Sequence, residues 1–258
     1  MAIKRSIRLL ILAILASNVV QSTNAINTNI AVRVKSKDAK FIGSSMGGVL
    51  VTITDFDTKE VIAKGYTAGT TGDTKAIMQT PIHRGKSISD DKSAKFIANL
   101  DINRPMLVEI SAFGPMAQRQ SASKVSVTHW IIPGKHIDAG DAILLELPGF
   151  IVDILSPPAH IKYPGTPQVI SMKANVTMMC GCPIKPNGIW DANKFDIAAI
   201  MYKDGIELQT IKMSYAGETS QFSVNYTALE TGIYEIVVYA FDKSNGNTGV
   251  DRTTFVIK

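Results

Sequence analysis

Apolar and polar residues alternate one by one through most of this chain after residue 25. The longest run is QVISMKANVTMMCGC at 168–182, whose apolar positions are Ile170, Met172, Ala174, Val176, Met178 and Cys180. A period of two places alternate side chains on one face, as in a β-strand with one buried side, whereas the helical period of 3.6 is nearly absent. This alternation predicts an all-β fold.

Strand-like segments recur along both halves of the chain, separated by Gly, Pro, Asn and Asp. One of them is KVSVTHWIIPG at 124–134, and about seven lie in the second half at the spacing of a β-sandwich. About 230 residues follow residue 25, enough for two domains of ordinary size. We therefore predict two tandem antiparallel β-sandwich domains, at 26–149 and 150–258.

The first 25 residues have the layout of a secretory signal peptide. Lys4, Arg5 and Arg8 form a basic start, the apolar run 9–16 follows, and Ala25 completes a small-residue cleavage pattern. A membrane-spanning helix needs about 20 apolar residues, roughly twice the length of this run. We predict that residues 1–25 are cleaved, that the mature chain has no membrane span, and that the protein is periplasmic or secreted.

The charge balance does not favour a nucleic-acid partner. The chain has 27 Lys and Arg against 22 Asp and Glu. Three of the basic residues lie in the predicted signal peptide, which carries no acidic residue, so the mature chain is close to neutral. No cluster of Lys and Arg is interleaved with aromatic residues, as a nucleic-acid-binding surface would require.

The second half resembles immunoglobulin-like and fibronectin-type modules. The segment GIYEIVVYAFD at 232–242, followed by KSNGNTG and a last strand, is similar to their closing hairpin. Tyr234 falls where those folds place a tyrosine that caps a strand crossover. The resemblance covers 150–258, lacks the usual inter-sheet disulfide, and implies a fold without implying a function.

The first half has a more limited resemblance. The segment GGVLVTITDFDTKEVIAKGYTAGTTGD is similar to the opening of transthyretin-like and carboxypeptidase-regulatory-like sandwiches, over residues 46–78. The polar segment 67–93, rich in Gly, Thr and Ser, begins within it. A segment of that length without secondary structure is unusual in a compact domain, so 67–93 is predicted to be a functional or mobile loop.

A sulfur-rich stretch, ANVTMMCGCPIKPNGIW at 174–190, contains both cysteines of the chain. Alternate residues of a continuing strand would project on the same side, which would bring several sulfur atoms together. Sulfur ligands select Cu(I) over harder metals, so one interpretation is a copper-binding or redox site. Its candidate ligands are Met178, Met179, Cys180 and Cys182, with His129 and His136 as further ligands.

Two other interpretations of this stretch stay open. Residues two apart in a flat strand have Cα atoms about 6.6 Å apart, and a disulfide usually needs about 4.4–6.8 Å. A Cys180–Cys182 disulfide therefore favours a bend, which Gly181 permits, and an exported chain meets an oxidising compartment. Alternatively, the sulfur atoms are only the last residues of a buried strand face, since Met and Cys are ordinary core residues.

The sequence contains no recognisable catalytic motif. There is no nucleophile elbow, phosphate loop, zinc-protease motif or dinucleotide fingerprint. The leading expectation is an exported, non-catalytic binding or accessory protein that recognises a protein, a glycan or a surface component. The alternatives are a periplasmic copper-binding or redox protein that uses the MMCGC stretch, and an enzyme accessory subunit built around 67–93.

Overall fold

The computed structural model describes residues 24–258. The predicted signal peptide, apart from its last two residues, therefore lies outside the described part of the chain. Strands dominate the described residues and pair into open sheets, which confirms the predicted all-β sandwich class. Within 24–258, no helix combines the length and the apolar character needed to cross a membrane.

Residues 26–147 contain seven strands, one short α-helix and two 3-10 turns. The strands are β1 (Ile26–Ser36), β2 (Leu50–Asp55), β3 (Val61–Tyr66), β4 (Phe96–Ile102), β5 (Met106–Gly114), β6 (Ser123–Ile131) and β7 (Ile143–Leu147). The helix, α1 (Thr74–Met78), begins at Asp73, whose side chain accepts a hydrogen bond from the Ala76 backbone N–H. An acidic N-cap of this kind satisfies a backbone donor that the first turn leaves free.

These strands form two sheets, in the orders β4-β1-β7 and β3-β2-β5-β6. β1 pairs antiparallel with β4 and parallel with β7. Alternate residues, such as Val32 and Val34 in β1 and Val108 and Ile110 in β5, are fully buried between the sheets. The period-two pattern thus supplies the core of a sandwich.

Residues 150–258 contain nine strands. They are β8 (Phe150–Ser156), β9 (Ile161–Tyr163), β10 (Gln168–Met178), β11 (Asp196–Lys203), β12 (Ile206–Lys212), β13 (Ser214–Tyr215), β14 (Gln221–Ala228), β15 (Gly232–Phe241) and β16 (Thr248–Ile257). The sheet orders are β8-β10-β14-β13 and β12-β11-β15-β16-β9. The first order, and β11-β15-β16 in the second, match the A-B-E-D and C-F-G sheets of immunoglobulin constant-type domains.

The tyrosine near the start of β15 confirms this part of the sequence interpretation. Tyr234 is buried, and its hydroxyl donates a hydrogen bond of 2.8 Å to the backbone oxygen of Glu230. Its ring stacks on Phe255 of β16, with the ring centroids 5.0 Å apart. This is the tyrosine corner of immunoglobulin-like sandwiches, in which a buried phenol returns to the backbone just upstream.

The two sandwiches pack closely where they meet, and this contact region is called the junction below. Strands of 26–147 pair only with one another, as do those of 150–258. One continuous cluster of buried apolar side chains nevertheless runs through both halves. At the junction, the Asn247 side chain accepts from the Gly149 N–H and donates to the Lys37 backbone oxygen. Independent folding of each half stays a prediction.

Candidate functional site

The sulfur-rich stretch is a tight turn at the end of β10. The strand ends at Met178, and Gly181 then adopts a left-handed φ of 73°. The Gly181 N–H donates to the Met178 carbonyl, and the Met178 N–H donates to the Cys182 carbonyl. The turn brings the Cα atoms of Cys180 and Cys182 to 5.3 Å, and the two residues form a disulfide.

The disulfide determines what the sulfur atoms of this turn can do. Cys180 and Cys182 are almost completely buried, and Met178 and Met179 are fully buried. A thiolate, and not a disulfide sulfur, is the cysteine form that binds metals. Copper binding by these cysteines therefore requires the reduced protein, and both the copper and the redox interpretations stay predictions.

The structure adds a sulfur atom that sequence reasoning missed. Met46 ends a 3-10 turn at Ser44–Met46 in the first half of the chain, and its side chain lies against Gly181 at the junction. A Cβ atom on Gly181 would come 2.5 Å from the Met46 sulfur, so only glycine fits beneath Met46 as it stands. The sulfur-rich turn thus contributes packing between the two sandwiches.

The two histidines proposed as further ligands belong to other parts of the first half. His129 is an exposed residue of β6, and His136 is an exposed residue of the loop that follows β6. The His136 Nδ1 accepts a hydrogen bond from the Asn29 backbone N–H at 3.0 Å. Among the described residues, no three His, Cys, Asp or Glu side chains are grouped as metal ligands.

The segment 67–93 is more structured than the loop that the sequence predicts. It contains α1, one isolated bridge ties it to the following residues (Ala68 with Lys95), and a second joins its own two ends (Thr70 with Ser93). Ile77 of α1 packs in a small second cluster with Phe41 and Ala94. Local hydrogen bonds of Thr, Ser and Asp side chains replace regular secondary structure here, so polar composition does not mean an absence of order.

Arg33 anchors the end of this segment from the outer face of β1, opposite the face that carries Val32 and Val34. The side chain is buried, and its guanidinium donates to the backbone oxygens of Ser93, Ala94 and Asp90. Burial lowers the pKa of Arg33 below its ordinary value, an effect that the nearby carboxylate of Asp141 and those of the 90–91 turn oppose. The Arg33 guanidinium is therefore held by three backbone oxygens and not by a salt bridge with a carboxylate. Its role is structural, because it fixes the backbone at 90–94.

The exposed edge of β6 is the feature with the clearest capacity to bind. β6 pairs with β5 over nine residues in unbroken antiparallel register, from Ser123 opposite Gly114 to Ile131 opposite Met106. Within 24–258, no other strand pairs with β6, so its second edge is free. Residues 125–131 contain no Lys, Arg, Asp, Glu or Pro. An edge of this kind is a ready template for another strand.

Side chains on both faces of β6 are exposed near its end. Residues directly opposite in a sheet share a face, so Val127 and His129 lie on the core-facing side with Ile110 and Val108. Val127 is nevertheless 40% exposed, because β6 is the last strand of its sheet. On the outer face, Trp130 is 62% exposed.

Four other sheet edges also carry charged residues. β3 and β12 also have a register irregularity against their neighbours, and the β7 carboxylate forms an ion pair with Lys35. The charged residues are Lys64 in β3, Asp101 in β4, Glu146 in β7, and Glu207 and Lys212 in β12.

The remaining edges are covered or very short. The backbone of β8 at Val152 is bonded by the side chains of Gln120 and Ser121. β9 and β13 have three and two residues. Among the described edge strands, β6 is the longest, and its pairing with β5 is regular over nine residues.

Comparisons with known proteins return likenesses in structure at low sequence identity. No protein-family model matches the sequence, and no curated protein matches it. A DUF3823 family protein from Bacteroides uniformis is 12% identical, with 90% of this chain and 100% of that chain covered and a TM-score of 0.30. Fibronectin(III)-like modules of Clostridium thermocellum CbhA are 13% identical, with 90% and 86% covered and a TM-score of 0.29.

A third likeness is to the tip fimbrial protein Mfa3 from Porphyromonas gingivalis with C-terminal truncation. It is 9% identical, with 88% of this chain and 81% of that chain covered and a TM-score of 0.28. All three TM-scores are below 0.5. The strand topology and the contacts described above, and not these likenesses, therefore support the proposals that follow.

Proposed function

We propose that this protein is an exported, non-catalytic binding protein that recognises an extended segment of a partner polypeptide along the free edge of β6. The observation that carries the proposal is the regular and largely uncharged edge at 123–131, with which no second strand of 24–258 pairs. An added strand forms main-chain hydrogen bonds with such an edge, and pockets for alternate side chains give it specificity. Export rests on the signal-peptide layout of residues 1–25.

Two physical contributions favour strand addition at this place. The outward N–H and C=O groups of an edge strand have no strand partner until another chain supplies one. In addition, a strand laid beside β6 covers Val127, whose side chain faces the core side and is 40% exposed. Removal of apolar surface from water contributes roughly 25 cal/mol per Å². An extended polypeptide supplies both the main-chain hydrogen bonds and the apolar contact, so a polypeptide is the proposed class of partner.

The experiment compares two single-residue variants at two different edges. Val127→Lys places a charge on the β6 edge, and the matched control, Leu208→Lys, places one on the already charged edge of β12. The two side chains are similarly exposed, at 40% and 45%. Peptides of 12 residues are selected from an unbiased displayed library against the wild-type mature chain, and their affinities are measured against all three proteins.

The proposal expects the selected peptides to bind wild type and Leu208→Lys alike, and to lose at least tenfold in affinity for Val127→Lys. Amide resonances of 124–131 should shift on binding in the wild-type protein. Equal binding to Val127→Lys, or shifts confined to other strands, would contradict the proposal. Circular dichroism of each variant establishes that a lost interaction does not reflect lost folding.

A further inference from the structure

We infer that the segment bound at β6 runs antiparallel to it and carries an acidic residue opposite Lys124, after an apolar–polar–apolar sequence. This inference rests on the proposed function and names the chemistry of the partner. It follows from three features of β6: the faces of its side chains, the position of its single charge, and the absence of carboxylates from the strand itself.

The faces of β6 determine where apolar side chains of the partner would lie. Val125 and Val127 stand opposite Ala112 and Ile110, both of which are buried core residues. A strand added beside β6 continues the same sheet, so its residues opposite Val125 and Val127 also face the core side. Their apolar side chains would extend the hydrophobic face. The intervening residue, opposite Ser126, faces outwards and is expected to be polar.

Lys124 determines the charge of the partner. It is the only Lys, Arg, Asp or Glu in β6, its side chain is exposed, and it forms no salt bridge with any residue of 24–258. It lies on the outer face, opposite Phe113. A carboxylate directly across from a cation on a neighbouring strand contributes roughly 0.2–1 kcal/mol.

Antiparallel pairing converts these positions into a sequence. β6 already pairs antiparallel with β5, and antiparallel ladders are slightly more stable per residue than parallel ones. Read from N- to C-terminus, the partner residues opposite 127, 126, 125 and 124 are then apolar, polar, apolar and acidic. Pro133, shortly after the strand ends, cannot donate to a ladder and limits the site to about eight residues.

The same charge argument disfavours a second copy of this chain. Residues 123–131 contain no Asp or Glu. Two copies joined through β6 would therefore leave Lys124 of each copy without a carboxylate from the opposing strand. A separate polypeptide can place a carboxylate opposite Lys124, whereas β6 of a second copy cannot, because it has none.

The test uses synthetic peptides with blocked ends, so that only side chains supply charge. The probes are TVTVTVD, its lysine counterpart TVTVTVK, and a peptide of the same composition as the first without alternation. Each is titrated into isotope-labelled wild-type protein and into the Lys124→Glu and Val127→Lys variants at low ionic strength. Sedimentation of the wild type and Val127→Lys without peptide measures self-association.

The inference expects TVTVTVD to bind wild type about two- to fivefold more tightly than TVTVTVK, the range of an exposed ion pair. Lys124→Glu should reverse that order, and the peptide without alternation should bind more weakly. If peptides bind at 124–131 but the charge of the last residue has no effect in either protein, the inference fails and the proposed function stands. A wild-type dimer that Val127→Lys dissociates also overturns the inference.

If Val127→Lys binds library-selected peptides as wild type does, the proposed function and the inference both fail. Binding of TVTVTVD with shifts at β12 instead of β6 overturns the inference in the same way. Each variant is checked for a wild-type pattern of amide resonances outside 123–131. The peptide results therefore report on the edge and not on the fold.

Discussion

Trp190 of the second half donates its indole Nε1–H to the backbone oxygen of Asp38 in the first half, over 2.8 Å. The indole is 6% exposed, so the hydrogen bond lies within the packed junction. An indole has one donor and no acceptor, and a buried one usually finds a partner. This contact is one of several that join the two sandwiches at the junction.

We expect Trp190→Phe to lower the free energy of unfolding by about 1–3 kcal/mol, because the Asp38 oxygen loses its donor and the junction loses packing. The chain supplies its own control. Trp130 is 62% exposed, so Trp130→Phe should change the free energy by no more than about 0.5 kcal/mol. Chemical denaturation of both variants measures the difference, and equal values would contradict the structural role of Trp190.

Gly181 supports a second prediction, which separates backbone strain from contact with Met46. Gly181 and Gly205 have left-handed φ values of 73° and 84°, so alanine is strained at either position. Only Gly181 faces a side chain, since nothing lies within 4 Å of a Cβ atom built on Gly205. We expect Gly181→Ala to destabilise the protein more than Gly205→Ala does.

A double-mutant cycle tests the origin of that excess. In the Met46→Ala background, the cost of Gly181→Ala should fall towards that of Gly205→Ala, because the methionine no longer opposes the new methyl group. Coupling between contacting residues is typically about 0.5–3 kcal/mol. Additive effects of Met46→Ala and Gly181→Ala on the free energy of unfolding would show that the two residues do not interact.

A third prediction concerns the division of the chain at 148–150. Residues 150–258 hold two complete sheets and the buried tyrosine of β15, so this fragment should fold alone. It should be less stable than the same region in the full chain, because Trp190 loses its partner at Asp38. A fragment spectrum with the narrow amide dispersion of an unfolded chain would show that the halves form one cooperative core.

The sequence predicts where the strands of this protein lie in the chain better than it predicts which strands pair with one another. Alternation identifies KVSVTHWIIPG at 124–134 as a strand, and β6 begins one residue earlier and ends at Ile131. The same alternation cannot reveal that β6 is the last strand of its sheet, because pairing is decided by distant segments. A sequence signal that points to this strand is the absence of charge from 125–131, which is typical either of a central strand or of an unprotected edge.

Short elements and contacts between the halves were also beyond sequence reasoning. β9 has three residues, between two prolines, in a stretch whose composition indicates a loop. Met46 meets Gly181 across more than 130 residues of chain, and no local pattern marks that contact. In contrast, the bend at Gly181 follows from the conformational freedom of glycine, and Tyr234 follows from its place near the start of a strand.

A fourth prediction concerns the buried cation beneath 67–93. Arg33→Met should lower the free energy of unfolding by about 2–4 kcal/mol, because three backbone oxygens lose their donor together. Trypsin should then cut faster at Lys86 and Lys92, in the segment that Arg33 holds. Arg104→Met, at an exposed position, is the control. Equal stability and equal cleavage of the two variants would exclude an anchoring role for Arg33.

The fifth prediction is a pH dependence that arises from Asp153 in β8. Burial, and then the nearby carboxylate of Asp251, raise the pKa of Asp153 above its ordinary value of 3.8. The Asp251 side chain accepts a hydrogen bond from the Ile154 N–H, which fixes its charge beside Asp153. The folded protein therefore holds the Asp153 proton more tightly than the unfolded chain does, and this group lowers stability as pH rises from 3.8 through the folded pKa.

Asp153→Asn removes that ionisation, so we expect the variant to be more stable than wild type at pH 7 and to have no such advantage at pH 3, where the wild-type carboxyl is protonated. Urea denaturation at both pH values measures the free energy of unfolding of the two proteins. The difference between them at each pH excludes the acid sensitivity that both proteins share. Asp138→Asn, at an exposed position, controls for the change in net charge. The same stabilisation at pH 3 and pH 7 would show that packing, and not the ionisation of Asp153, is responsible.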